Sequence, residues 1–279
     1  METLTAVNPM TGEAIGTVQA VPLESIADMM QRARTAFSIW QQFTLQERLH
    51  YITAIRQAIV DRLEEYVEII SKETGKPKVE AITSDLLIVL DAIKHIEHTA
   101  EKALRTRKVK TPIVLIGKKS YVSYQPRGVV LVISPWNFPF QLSMIPLLSA
   151  LAAGNSVILK PSEVTPLVGK MVEDLLNTVG IPKDVVQVAQ GGGQVGAKLI
   201  EENPDYIFFT GSVSTGRKIQ QEAAKRLIPT TLELGGKDPM IVFADAHLDR
   251  AVQGAVWGSL TNSGQACMSV ERVYVERSI

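Results

Sequence analysis

GVVLVISPWNFPFQLSMIPLLSALAAGNSVILK, residues 128–160, contains a complete structural unit. Val129–Ile133 is a short, apolar, mostly β-branched run, the pattern of a strand buried on both faces. A proline-flanked turn follows, from Pro135 to Pro139. Residues 141–153 then read as a helix, and Ser156–Leu159 is a second buried strand. The alternation continues downstream, with strands at 185–188 and 206–209 and helical stretches at 167–178, 195–202 and 215–226. Strands separated by helices of this length predict an α/β fold with a mostly parallel sheet covered on both faces. Ligands of such sheets bind beyond the carboxyl ends of the strands. The residues that fall there are Pro135–Pro139, Lys160–Glu163 and Thr210–Gly216.

Upstream of this unit the texture is helical. Residues 1–21 hold short strand-like runs around an Asn8-Pro9-Met10-Thr11-Gly12 turn. One helix is expected from Leu23 to about Trp40. A longer one, from about Leu45 to Glu73, places Leu49, Ile52, Ile55, Ile59, Leu63 and Val67 on one face. Thr74-Gly75-Lys76-Pro77 closes it, with glycine at the C-terminal cap and proline as the stop. A third helix is expected from about Val79 to Ala103. PIVLIGKKSYVSYQPRG, residues 112–128, then reads as two short strands around a Gly-Lys-Lys turn, an exposed hairpin arm.

Composition excludes several classes of function. The 279 residues carry 29 Lys plus Arg and 29 Asp plus Glu, so no net charge marks a nucleic-acid or anionic-membrane surface. Apolar stretches are interrupted before they reach membrane-spanning length. The sole cysteine, Cys267, precludes an internal disulfide, and no signal peptide opens the chain, which predicts a reducing, cytoplasmic setting. Of the four histidines, His95 and His98 could share a helix face, but no third ligand stands near them, and no metal site is expected.

Two glycine loops compete for a phosphate. Gly191 to Gly196 spells G-x-G-x-x-G, but no acidic residue stands about 20 positions downstream to hold a ribose, and it reads better as a turn. Gly211-Ser212 to Gly216 ends a buried strand and opens a helix, where free backbone N–H groups and the helix dipole suit an anion.

SPWNFPFQ (134–141), GNSVILKPSE (154–163), FFTGSVSTG (208–216), LELGGKDPMIVFADAHLD (232–249) and NSGQACMSVERVYV (262–275) together resemble the aldehyde dehydrogenase superfamily in order and spacing, over essentially the whole chain. The resemblance implies a Rossmann-like coenzyme domain over residues 1–233, with an oligomerisation arm at about 107–125. It also implies an incomplete start of the catalytic domain over 234–279, the chain being the front part of a longer enzyme that assembles as a homo-oligomer. By the same resemblance, Cys267 is the nucleophile, Asn137 the side-chain donor to an oxyanion and Glu233 the general base. Lys160 and Glu163 hold the adenosine ribose, Gly211 and Ser212 meet the pyrophosphate, and Pro135 and Trp136 form part of the coenzyme wall.

The implied chemistry needs these groups. A bare aldehyde has no oxyanion from which hydride can leave, so a thiolate must first add to the carbonyl. Hydride transfer then leaves a thioester, which water activated by a carboxylate of raised pKa hydrolyses. The resemblance therefore implies oxidation of a small-molecule aldehyde to an acid. A carboxylate at Glu163 repels a 2′-phosphate and predicts NAD over NADP. Transfer of the thioester to coenzyme A is an alternative, and so is a non-catalytic nucleotide-binding protein should the short chain be the whole product. A tail of about 46 residues is too small for its own core, so Met240–Phe243 and Val256–Leu260 are expected to lack partners and the tail to be partly disordered.

Overall fold

The computed structural model describes residues 2–279. An antiparallel hairpin, β1 (Thr3–Val7) and β2 (Ala14–Gln19), leads into three helices, α1 (Ile26–Trp40), α2 (Leu45–Asp61) and α3 (Leu63–Thr74). A capping box opens α2: the Thr44 hydroxyl accepts from the Glu47 amide, and the Glu47 carboxylate accepts from the Thr44 amide. The single helix expected over 45–73 is two, because Arg62 leaves the helical region (φ −117°, ψ 23°). The break lets Tyr66, Val67 and Ile70 reach the core that Leu49, Ile52, Ile55 and Ile59 already line. Gly75 ends α3 in the left-handed region (φ 76°), where a side chain would be strained.

The expected third helix begins as α4 (Lys78–Glu80) and runs through a wider, π-helical turn at Ala81–Leu86 into α5 (Leu87–Leu104). The hairpin arm is present, but its strands differ from those expected. β3 (Arg107–Val109) pairs antiparallel with β4 (Ser120–Val122). Ile113–Leu115, expected as strand, is a 3-10 turn. Its polar groups bond locally, Leu115 N–H to the Pro112 carbonyl and Ile116 N–H to Ile113, which leaves no strand edge to pair.

The main sheet follows the expected alternation. β5 (Val129–Ile133), α6 (Gln141–Ala152), β6 (Ser156–Lys160), α7 (Pro166–Val179), β7 (Val186–Val188), α8 (Gly193–Glu201), β8 (Tyr206–Gly211) and α9 (Val213–Lys225) succeed one another, and β9 (Thr230–Leu234) adds a further strand. All five strands are parallel, in the order β7-β6-β5-β8-β9. β5 and β6 are buried at every residue, and the two-residue period divides their side chains between two cores. Val130, Val132, Val157 and Leu159 pack with the helices α2, α3, α5, α6 and α7. Val129, Leu131, Ile133 and Ile158 face α1, α8 and α9. The strand order reverses at β5–β8, a crevice where α/β sheets bind ligands.

After the sheet, β10 (Asp238–Val242), α10 (Leu248–Leu260) and β11 (Val270–Val275) form a separate parallel strand pair and one helix. Among the described residues no helix is long and apolar enough to cross a membrane.

Candidate active site

Three strand ends converge on the β5–β8 crevice. β6 ends at Lys160, whose side chain is almost wholly buried while its ammonium reaches the Glu163 carboxylate at 2.8 Å. Partial burial works to raise the Glu163 carboxyl, but the hydrogen bond and charge of Lys160, with Glu163's own amide, outweigh it and hold the carboxyl below its ordinary value. The turn fits closely because Gly169 of α7 has no side chain: a Cβ there would lie 2.7 Å from Pro161.

β8 ends at Gly211, and Ser212 caps α9. Its hydroxyl accepts from the Thr215 amide at 3.2 Å. Val213 and Ser214 begin the helix with amides that have no carbonyl within it to bond. Thr210, just before, has a buried hydroxyl without a partner. The competing loop at Gly191–Gly196 opens α8 behind the edge strand β7, with Gly192 as cap and no side-chain cap bond. Only the Ser212 loop stands at the strand-order reversal. A buried cation beside a partly exposed carboxylate after β6, with a helix N-terminus after β8 on the other side of β5, suits a dinucleotide: amides for phosphate and a carboxylate for ribose hydroxyls.

β5 is followed by the turn Pro135-Trp136-Asn137, with Trp136 exposed and Asn137 half-buried. The Asn137 side-chain amide donates to the Gln265 carbonyl at 2.7 Å. The Asn137 carbonyl accepts from Asn262 Nδ2 at 3.0 Å, and Gln265 Nε2 donates to the Thr74 carbonyl at 3.3 Å. Asn262, fully buried, and Ser263 both adopt left-handed backbone conformations (φ 55° and 56°) that turn the chain sharply. Cys267 follows, exposed, in a turn closed by Ser269 N–H to the Ala266 carbonyl.

Glu233 lies on β9 in register with Thr210, beside the Ser212 loop. Its side chain is exposed, not partly buried as its expected role suggests, because β9 is the sheet edge and no further element of this chain covers that end. The structure thus brings Asn137 to the cysteine loop and Glu233 to the Ser212 loop. Among the described residues no cluster of three or more His, Cys, Asp or Glu is arranged to hold a metal. An open cavity of about 830 Å³, lined by Arg48, Tyr124, Arg127 and Tyr206, lies at the opposite, amino end of the strands.

Three polar residues of this neighbourhood escape sequence reasoning. Lys76 and Asp85 form a fully buried ion pair under the Asn137 turn, and Glu73 is buried against the start of α7. The only signal is Thr74-Gly75-Lys76-Pro77, whose glycine and proline mark a helix stop. Nothing in it says that the lysine after a left-handed glycine points inward.

The whole chain, residues 1–279, matches the sequence model described as the aldehyde dehydrogenase family. It is 43% identical over 279 residues to 4,4'-diapolycopene aldehyde oxidase from Methylomonas sp, covering 100% of this chain and 53% of that protein. It is 36% identical over 271 residues to a putative NADP(+) succinate-semialdehyde dehydrogenase from Mycolicibacterium smegmatis, covering 96% and 52%. Among solved structures, a putative aldehyde dehydrogenase from Burkholderia cenocepacia has a TM-score of 0.93 at 34% identity, covering 100% of this chain and 56% of that one. The NAD+ complex of an aldehyde dehydrogenase from Bacillus cereus has a TM-score of 0.92 at 32% identity, covering 99% and 56%. The chain spans about half the length of the curated relatives it matches.

Proposed function

The chain belongs to the aldehyde dehydrogenase family, and on that premise we propose that it supplies the coenzyme domain and the nucleophile of an enzyme that oxidises an aldehyde to a carboxylic acid. The coenzyme of this family is NAD(P)+. The observation that carries the reading is the hydrogen bond from the Asn137 amide to the Gln265 carbonyl. It joins residues 128 positions apart and sets a second amide N–H near the loop of the sole cysteine.

The Cys267 thiolate adds to the aldehyde carbon, and the carbonyl oxygen becomes an oxyanion. The free Asn137 N–H and the Cys267 backbone N–H stabilise it, each such donor lowering the barrier by about 3 kcal/mol. The nicotinamide, when bound, supplies the hydride acceptor. Hydride loss leaves a thioester on Cys267. Glu233 takes a proton from water as the water oxygen attacks the acyl carbon, the C–S bond breaks, and the acid leaves with the thiolate restored.

Residues 1–233 form the coenzyme domain in this reading, and 234–279 begin the catalytic one. Pro135 and Trp136 wall the coenzyme, Gly211 and Ser212 meet its pyrophosphate, and Lys160 and Glu163 hold its ribose. The Glu163 carboxylate, kept ionised by Lys160, favours NAD over NADP by repelling a 2′-phosphate. The β3–β4 hairpin supports assembly into a homo-oligomer, and the lone unpaired cysteine supports a cytoplasmic enzyme.

The test is Cys267→Ser in the protein that carries this chain. Aldehyde oxidation should fall by at least about 10³-fold with coenzyme affinity retained. Residual activity above a tenth of the parent would overturn the role of Cys267, and acyl-CoA released on adding coenzyme A would replace hydrolysis with thioester transfer. A second reading concerns the 279 residues alone. The exposure of Cys267 and of the apolar side chains around it supports a chain that binds the dinucleotide without turnover.

A further inference from the structure

A buried ion pair seldom earns its place through stability alone, since apolar residues of similar size often do as well. Lys76 and Asp85 have no exposed side-chain surface, and their Nζ–Oδ2 distance is 2.6 Å. What distinguishes the pair is what else it holds. Lys76 Nζ also donates to the Asn137 carbonyl at 2.9 Å and lies 4.7 Å from the centre of the Phe138 ring. The other Asp85 oxygen accepts from the Phe140 and Gln141 amides at 3.2 and 3.1 Å. These amides open α6, whose cap residue, Phe140, offers no side-chain acceptor. The pair therefore grips the Asn137–Gln141 turn at both ends, through backbone groups that neither the sheet nor the helix satisfies.

The local structure on both partners serves this grip. Gly75 turns the chain left-handed immediately before Lys76, and Pro77 follows it, so the lysine leaves the α3–α4 corner pointing into the interior. Asp85 sits in the π-helical turn, which shifts it from the register that an unbroken α-helix would impose. With its carbonyl held by Lys76 and Asn262, Asn137 has only its side-chain torsions left, and its amide is anchored on Gln265.

We propose that Lys76 and Asp85 are positioning residues: they fix the backbone of Asn137 so that its amide stays aimed at the cysteine loop. The inference rests on the proposed role of Asn137 as oxyanion donor. Burial pulls the Lys76 ammonium below its ordinary range, and burial likewise raises Asp85 against the opposing effect of Lys76 and the two amides. Each charge thus depends on the other, and the two are best replaced together.

The experiment uses Lys76→Met/Asp85→Leu, with Lys76→Met/Asp85→Asn as a second variant, nearer in shape, should the first fail to fold. The side-chain amide resonances of Asn137, assigned by their loss in Asn137→Ala, are followed by NMR in the full protein that carries this chain. Turnover is measured in the same protein. The amide resonances should shift or broaden in the variants. kcat should fall about 100-fold, as misplacement by about 1 Å does, while KM and coenzyme affinity change less than about threefold. Adding Asn137→Ala to the double variant should then cost no further rate, because the same interaction is already lost. Unmoved amide resonances in a folded variant would overturn the proposal. So would a kcat within about twofold of the parent when Asn137→Ala alone is slow, or a fully multiplicative loss in the triple variant. A normal kcat for Asn137→Ala itself would instead sink the proposed role of Asn137, and the resonances would still decide whether the pair positions it.

Discussion

Residues 2–233 and 234–279 are built from the same kinds of element and differ in what those elements touch. Every buried apolar side chain but one precedes residue 234, and the exception is Val242. In the first region a strand such as β5 has helices on both faces. In the second, α10 presents Val252, Val256, Trp257 and Leu260 to solvent, and Ile241 of β10, Phe243 just after it and Tyr274 of β11 are exposed. Secondary structure there is written in local sequence, but burial needs a partner surface that this chain does not supply. The catalytic candidates straddle the divide: Asn137 stands in the turn that follows β5 of the covered sheet, and Cys267 in the uncovered segment.

Hydrogen exchange on the 279-residue chain should separate the two regions most strongly. Amides of β5, β6 and β8 should exchange only through global unfolding, whereas those of α10 and β11 should stay within about tenfold of unprotected rates. Equal protection throughout would erase the contrast. Substitution sharpens it at single residues. Leu131→Ala, in the centre of β5, should cost about 2–5 kcal/mol in denaturant unfolding. Val256→Ala, on the open face of α10, should stay within about 0.5 kcal/mol. A large loss at Val256 would mean that its helix is packed after all.

A pH-dependent effect lies inside the covered region. Glu73 accepts from the Leu167 and Val168 amides at 2.8 Å each, capping α7 from a distant segment. Burial pushes its carboxyl up to about 7 against those bonds, from an ordinary 4.5. A raised folded pKa means that the folded state holds the proton more tightly. The associated stability is therefore complete below pH 4.5 and is lost as pH rises through about 7, on the order of 3 kcal/mol. Urea melts across that range should show Glu73→Gln losing less stability with rising pH than the parent. Parallel slopes would show that Glu73 titrates normally.

Much of the sheet was legible because its signals are local. Val129–Ile133 is apolar at every position and Ser156–Lys160 at its three central ones, as doubly covered strands must be, and each intervening helix repeats at its own period. The hairpin misled because an apolar run, Ile113 to Ile116, looks like a strand while its backbone closes into a 3-10 turn after Pro112. The break at Arg62 was invisible because the apolar face continues across it.

For the candidate site, the residue types and their order came from sequence, through motifs such as SPWNFPFQ and NSGQACM and their resemblance to one family. Composition alone also removed any internal disulfide, since there is one cysteine. Tertiary structure decided which of these residues meet. Asn137 reaches Gln265 across 128 positions, and Lys76 and Asp85 converge beneath the same turn. Periodicity records which face of an element is apolar. Which distant carbonyl a buried lysine finds depends on backbone turns at Gly75 and Ala81–Leu86, and on the desolvation that makes an unpaired charge too costly to leave there.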